Sequence, residues 1–113
     1  IRKLLGQKMD IYGIKTCDSC RKAIKAFSNT RFVDLRKDGI SPNLLARVFA
    51  GFGDAIVNKK SATWRGFDDA TRAMDPLELV TLNPTVMKRP LIVDDQGALA
   101  LGWGKDVQER FGV

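Results

Sequence analysis

The sequence predicts a small α/β fold whose elements run β-α-β, then helices, then β-β-α. Three observations carry this. The chain has 113 residues, 44% of them hydrophobic and 28% charged, which leaves room for one globular domain with one core. Its apolar residues switch in that order between strand-like runs and helix-like spacing. Cap and turn residues stand at the joints between those runs.

Met9-Asp10-Ile11-Tyr12-Gly13-Ile14 is a short run rich in strand formers that ends in a turn. Asp18 and Ser19 then supply helix-start chemistry, and Ala23, Ile24 and Phe27 follow at helical spacing with Arg21, Lys22 and Lys25 on other faces. Phe32-Val33-Asp34-Leu35 reads as a second strand, closed by the charged turn Arg36-Lys37-Asp38-Gly39. Ser41 as N-cap and Pro42 in the first helical position launch a helix through Leu44, Leu45, Val48 and Phe49, stopped near Gly51 and Gly53.

Residues 54–74 read as short helical pieces and loops around Trp64 and Phe67. Asp75-Pro76 restarts a helix that Asn83-Pro84 ends. Arg89-Pro90 leads into the strand Leu91-Ile92-Val93, and Asp95-Gln96-Gly97 turns the chain into Ala98-Leu99-Ala100-Leu101. A last short helix spans Lys105 to Phe111. A β-α-β half, a helical insert and a β-hairpin backed by a final helix are what a thioredoxin-like sheet requires.

The composition narrows the chemistry. No apolar run reaches the length of a membrane span, and residues 1–7 lack a continuous apolar signal core, so a cytoplasmic protein is expected. Nineteen basic against 13 acidic side chains give a net charge of +6 and favour anionic partners. The basic residues occur in blocks no longer than two and are not interleaved with aromatics, so no direct nucleic-acid surface is read from them. The chain contains no histidine, which removes Cys–His and Ser–His–Asp arrangements and most metal sites. A working cysteine must here be activated by backbone dipoles and by lysine or arginine.

The two cysteines stand in Cys17-Asp18-Ser19-Cys20, between the first strand and the first helix. A helix start presents unpaired N–H groups and the positive end of the helix dipole, which favour a thiolate. Lys15, Arg21 and Lys22 add positive potential nearby, and Asp18 opposes it. In a β-α-β context this C-x-x-C is a redox signal. Zinc needs four ligands, so no metal is expected on two cysteines alone. A pair of inert core cysteines is the plain alternative, and the helix-start placement argues against it.

Ile11-Tyr12-Gly13-Ile14-Lys15-Thr16-Cys17-Asp18-Ser19-Cys20-Arg21-Lys22-Ala23 resembles the opening of the arsenate reductase (ArsC)-related family. The resemblance recurs in residues 57–65, in 87–93 and in 101–107, and it is nearest to the YffB-type branch through Thr63-Trp64-Arg65, with the Spx regulators as a related branch. It implies a thioredoxin-like domain with an inserted helical region over residues 9–113. Residues 1–8 lie outside the resemblance and are expected to be an N-terminal extension or residues added in expression.

The resemblance also implies site residues. Cys17 matches the reactive cysteine, Cys20 the second motif cysteine, and Arg89-Pro90 an expected cis step beside them, with Arg89 as a catalytic, anion-contacting residue opposite Cys17. Arsenate reductases of this family hold arsenate with three arginines; Arg89 matches one, but Asn58 and Trp103 stand where the others belong, which argues against arsenate as the substrate. The remaining substrate-binding candidates are Arg21, Lys60, Arg65, Lys88 and Pro90.

Two functions fit these residues. One is a thiol-dependent reductase, with Cys17 as attacking thiolate, Cys20 as resolving thiol, glutathione as co-substrate and no bound cofactor. Its partners are then a small thiol or disulfide and glutaredoxin. The other is a redox switch of Spx type, which reads oxidation as a Cys17–Cys20 bond and binds the α subunit of RNA polymerase. A monomer is expected in either case.

Overall fold

The computed structural model of the chain describes residues 8–113. The extension expected at 1–8 falls, apart from Lys8, outside the described residues. The chain divides into two compact units, one formed by residues up to Asp34 together with Arg89–Val113, the other by Leu35–Lys88.

The first unit holds the sheet. Strand β1 (Met9–Gly13) is followed by helix α1 (Asp18–Ala26) and strand β2 (Thr30–Asp34). Strand β1 pairs in parallel with β2, from Met9↔Thr30 to Gly13↔Asp34. A parallel pair needs a crossover, and α1 supplies it. The chain returns to this unit through strands β3 (Leu91–Val93) and β4 (Leu99–Leu101), an antiparallel hairpin whose β3 also pairs antiparallel with β1. The order is therefore β2-β1-β3-β4, with β1 and β3 interior.

Alternation along β1 buries Met9 and Ile11 completely, and Ile92 of β3 and Ala100 of β4 continue that face. Ala23 of α1 covers it, together with Val107 and Phe111 of the last helix, Lys105–Phe111, as expected from the sequence. Phe27 lies just past the end of α1, in extended backbone at φ −108° and ψ 146°, and not within the helix as its spacing suggests. There it meets Trp103 and Phe111 edge-on, with centroids 5.9 and 5.2 Å away. Strand β2 starts at Thr30, two residues before the apolar run that predicts it, because the ladder to Met9 and Asp10 extends the pairing. Beside that ladder Arg31 clasps Asp10 with two hydrogen bonds of 3.1 and 2.9 Å.

The second unit is the inserted helical region. Helix α2 (Pro42–Phe52) starts as its sequence dictates, with Ser41 Oγ accepting from the Leu44 N–H at 3.2 Å and proline in the first turn. It stops at Gly53, whose φ of 58° suits a residue without a Cβ. The stretch 54–74 consists of short pieces: a 3-10 turn at Gly53–Ile56, α3 (Ala62–Arg65) and α4 (Asp69–Arg72). Ser61 and Asp68 cap the last two by accepting from Trp64 N–H at 3.1 Å and Thr71 N–H at 2.8 Å. Helix α5 (Pro76–Leu82) contributes Leu79 and Val80 to the unit's core beside Leu45 and Val48 of α2. A second 3-10 turn (Pro84–Val86) precedes Met87, which bridges to Val57. The last helix of the chain, in the first unit, is α6 (Lys105–Phe111). No helix among the described residues is long and apolar enough to cross a membrane.

Candidate active site at the head of helix α1

Strand β1 ends at Gly13, and four residues later the chain is at the N-cap of α1, which is Cys17 itself. The Cys17 N–H donates to the Ile14 carbonyl at 3.0 Å, and its carbonyl accepts from the Arg21 N–H at 3.1 Å to begin the helix. Asp18 and Ser19, read from the sequence as helix-start residues, are thus already in the first turn. Both cysteines are free thiols; Cys17 is partly exposed and Cys20 fully buried.

The two thiols sit in opposite environments. As a thiolate Cys17 faces burial, which disfavours the charge, but the Cys20 N–H, the Cys20 thiol and the Arg89 guanidinium outweigh that, and its pKa lies below the ordinary value of 9.0. Cys20 is dominated by burial, which the Ile14 backbone only partly offsets, and the neighbouring Cys17 charge adds to it; its pKa is pushed up to about 12. One thiol is built to ionise and the other to keep its proton.

Arg89 is delivered by the sheet. Tyr12 pairs with Leu91 across the β1–β3 ladder, so continuing that antiparallel register carries Arg89-Pro90 to the level of Gly13-Ile14, where the cysteine loop begins. The Arg89–Pro90 peptide is cis, Pro90 is buried, and its carbonyl accepts from the Gly102 N–H at 2.8 Å. Gly13 is a functional position that the sequence reading passed over. It continues the buried face of Met9 and Ile11, and a Cβ built there would collide with the Cys20 sulfur. Glycine at the next inward-facing position of an alternating strand was the available signal.

The other candidates are distributed as follows. Arg21 lies exposed on α1, and the groups acting most on the Cys17 sulfur are Cys20 and Arg89. Lys22 pairs with Asp18 at 3.1 Å, so the charge expected to assist and the charge expected to oppose are joined at the surface. Asn58, Lys60, Arg65 and Lys88 belong to the second unit. Asn58 organises a turn there: its Oδ1 accepts from the Lys60 N–H at 3.0 Å and its carbonyl from Ser61 Oγ at 2.7 Å. Arg65 Nη2 donates to the Lys60 carbonyl at 2.9 Å. Asn58, Lys60 and Lys88 line one groove, to which Arg65 does not contribute. Trp103 packs edge-on against Phe27. Among the described residues no group of three or more His, Cys, Asp or Glu side chains could hold a metal ion.

Comparison with known proteins agrees with this architecture. An uncharacterized protein of Haemophilus influenzae is 37% identical over 110 residues, covering 89% of this chain and 96% of its own length. The global transcriptional regulator Spx of Listeria innocua is 26% identical over 112 residues, covering 89% of this chain and 84% of its own. The solved structure of a YffB protein superimposes with a TM-score of 0.77 at 28% identity, covering 90% of this chain and 96% of that one. Structural neighbours of this kind have the thioredoxin-like fold. The family model for the ArsC family matches residues 12–111, which takes in the cysteine loop, the inserted helices, the cis-proline step and the final hairpin, and the chain belongs to that family.

Proposed function

We propose that this protein is a thiol-dependent reductase of the ArsC family in which Cys17 is the nucleophile and an external thiol such as glutathione completes the cycle. Family membership supports the thiol-dependent, reductase-like part of this function. The observation that carries the rest is the divergence of the two thiols, one lowered by Cys20 and Arg89, the other raised by burial to about 12.

The Cys17 thiolate attacks one sulfur of an incoming disulfide. A bond forms between Cys17 and that sulfur, the substrate disulfide breaks, and the departing thiolate takes a proton from water. An external thiolate then attacks the Cys17 sulfur of the mixed disulfide, bonding to it and expelling the bound group, which takes a proton from water. A second external thiolate attacks the outer sulfur of the new mixed disulfide, forms the disulfide of the two external thiols and frees the Cys17 thiolate. Burial, the leading cause of the raised Cys20 pKa, persists in the mixed disulfide and keeps Cys20 protonated, which favours an external thiol for the attack on the Cys17 sulfur. Two external thiols supply the two electrons of each turnover and leave as their disulfide. Arg89 anchors the negative charge on the attacking sulfur. The reading includes a cytoplasmic, reducing setting for a monomer, in which small thiols are abundant, and glutaredoxin as a candidate partner. Arsenate is not the proposed substrate, because Asn58 and Trp103 replace planar guanidiniums.

Disulfide reduction with glutathione as the reductant tests this. Cys17→Ser should abolish turnover, and Cys20→Ser should retain most of it. A rate that survives Cys17→Ser removes the proposal; one lost in Cys20→Ser returns the resolving step to Cys20.

The relationship to Spx supports a second reading, a Cys17–Cys20 disulfide that switches binding to the RNA polymerase α subunit. Its test is capture of purified α subunit by the oxidised and reduced protein. Equal capture from both forms eliminates the switch.

A further inference from the structure

We propose that the second unit carries a binding site for a small, flat aromatic carboxylate, seated against Trp64 and held by Lys59 and Arg72. The site uses neither of the cysteines nor Arg89.

A cleft of about 220 Å³ opens in this unit, with Val57, Leu79 and Trp64 as apolar lining and Lys59, Arg72 and Asp54 among the polar groups. Drug-sized ligands occupy clefts of roughly 300–1,000 Å³, and benzene fills a cavity of about 150 Å³, so this volume fits one ring or two fused rings. Val57 and Leu79 are buried at 8% and 1% exposure and form a fixed apolar wall. Trp64 is held in place by Phe67, whose ring meets it edge-on at 6.3 Å.

Two cations attend the same indole. Lys59 Nζ lies 5.5 Å and Arg72 Cζ 5.8 Å from its ring centroid. Arg72 is not a loose surface arm: its Nε donates to the Trp64 carbonyl at 3.3 Å and its Nη2 to the Arg65 carbonyl at 2.9 Å. Those bonds use two of the five N–H donors of a guanidinium and leave the others to a ligand. A fixed guanidinium at the edge of an apolar slot is the arrangement that recognises a carboxylate. Asp54 works against an anion, and the charge around it decides the sign. The adjoining groove, which shares Asp54 and Lys59 with the cleft, adds Lys60 and Lys88. Four cations line the cleft and groove against Asp54, with Asp68 acting on Arg72 from the preceding turn, and the positive balance selects an anion. The ring enters the slot beside Trp64, and its carboxylate meets Arg72 and Lys59 at the rim.

The full chain, labelled with ¹⁵N, is titrated with 2-naphthoate, with the neutral 2-naphthylmethanol and with the cationic 2-naphthylmethylamine, and the two indole N–H signals are followed. Saturable movement of the Trp64 signal is expected, with Trp103 as the internal reference that stays still. The carboxylate should bind roughly tenfold tighter than the alcohol and the amine weakest. Lys59→Glu, at an exposed position with little effect on folding, should weaken binding of the acid and narrow its lead over the amine. Absence of saturable binding, equal affinity for acid and alcohol, an acid-to-amine ratio unchanged by Lys59→Glu, or equal movement of Trp103 would each overturn the proposal. Any of these results would leave the thiol chemistry standing, and loss of that chemistry would leave this site standing.

Discussion

The sulfur of Cys20 fills the space that a side chain at Gly13 would occupy. The last inward-facing position of β1 is thereby kept empty so that α1 can bring a buried thiol against the strand, with the Cys20 N–H turned toward Cys17. The sheet, the helix and the asymmetry between the two cysteines meet at this one contact.

Gly13→Ala should therefore destabilise the fold by about 1–3 kcal/mol, the usual range for overpacking a filled core site. In a Cys20→Ala background the same change meets no sulfur, and its cost should fall by roughly 1 kcal/mol or more. Urea denaturation of the four proteins of this cycle measures the coupling. An equal cost in both backgrounds would show that the contact with sulfur is not what excludes a side chain.

Arg89 lowers the Cys17 pKa through a hydrogen bond and through its charge, after the contribution of Cys20. Arg89→Gln removes the charge while keeping an N–H donor. The Cys17 titration should move upward, and alkylation by iodoacetamide at neutral pH should slow by roughly tenfold, the scale of about one pKa unit for the loss of a neighbouring opposite charge. An unchanged pH–rate profile would detach Arg89 from the nucleophile.

The buried Cys20 thiol links stability to pH. Its folded pKa of about 12 lies above the ordinary 9.0, so the native state holds a proton that the unfolded chain releases. This contribution is fully present below pH 9.0 and is lost as the pH rises from 9.0 toward about 12. The Cys17→Ser background isolates it, since burial is the leading cause and remains there. Unfolding free energies from pH 7 to 10.5 should fall more steeply in Cys17→Ser than in Cys17→Ser/Cys20→Ser. Parallel curves would mean that Cys20 titrates as an ordinary thiol.

In the inserted unit, Ser41→Ala should cost about 1 kcal/mol, because it removes the oxygen that accepts from the Leu44 N–H at 3.2 Å. Ser41→Asp keeps an acceptor in place and should restore most of the loss. Thermal denaturation compares the three proteins.

The elements most legible in the sequence are those whose signals are local. Ser41-Pro42 and Gly53 begin and end α2 through a hydroxyl, a fixed φ and a left-handed backbone, all of which act within one turn. Lys105–Phe111 and the short pieces after Gly53 were likewise readable from caps and turn residues. Phe27 and Thr30 were not. A helical spacing does not reveal that the chain turns extended at Phe27, where two aromatic rings await it, nor that a ladder to Met9 recruits Thr30.

The same division runs through the site. Sequence alone determined that Cys17 would stand at a helix start, since strand formers, a turn and a helical run follow one another around it. It also excluded histidine as an activator, leaving backbone N–H groups and cations. The family resemblance already pointed to Arg89, and the tertiary structure supplies the means by which it reaches the sulfur. Arg21 is four residues from Cys17 in the chain, yet the guanidinium that acts on the sulfur belongs to Arg89, carried there by the β1–β3 register from 72 positions away. Gly13 and Cys20 likewise acquire their meaning from each other, because burial and van der Waals exclusion depend on what packs against a residue and not on its neighbours along the chain.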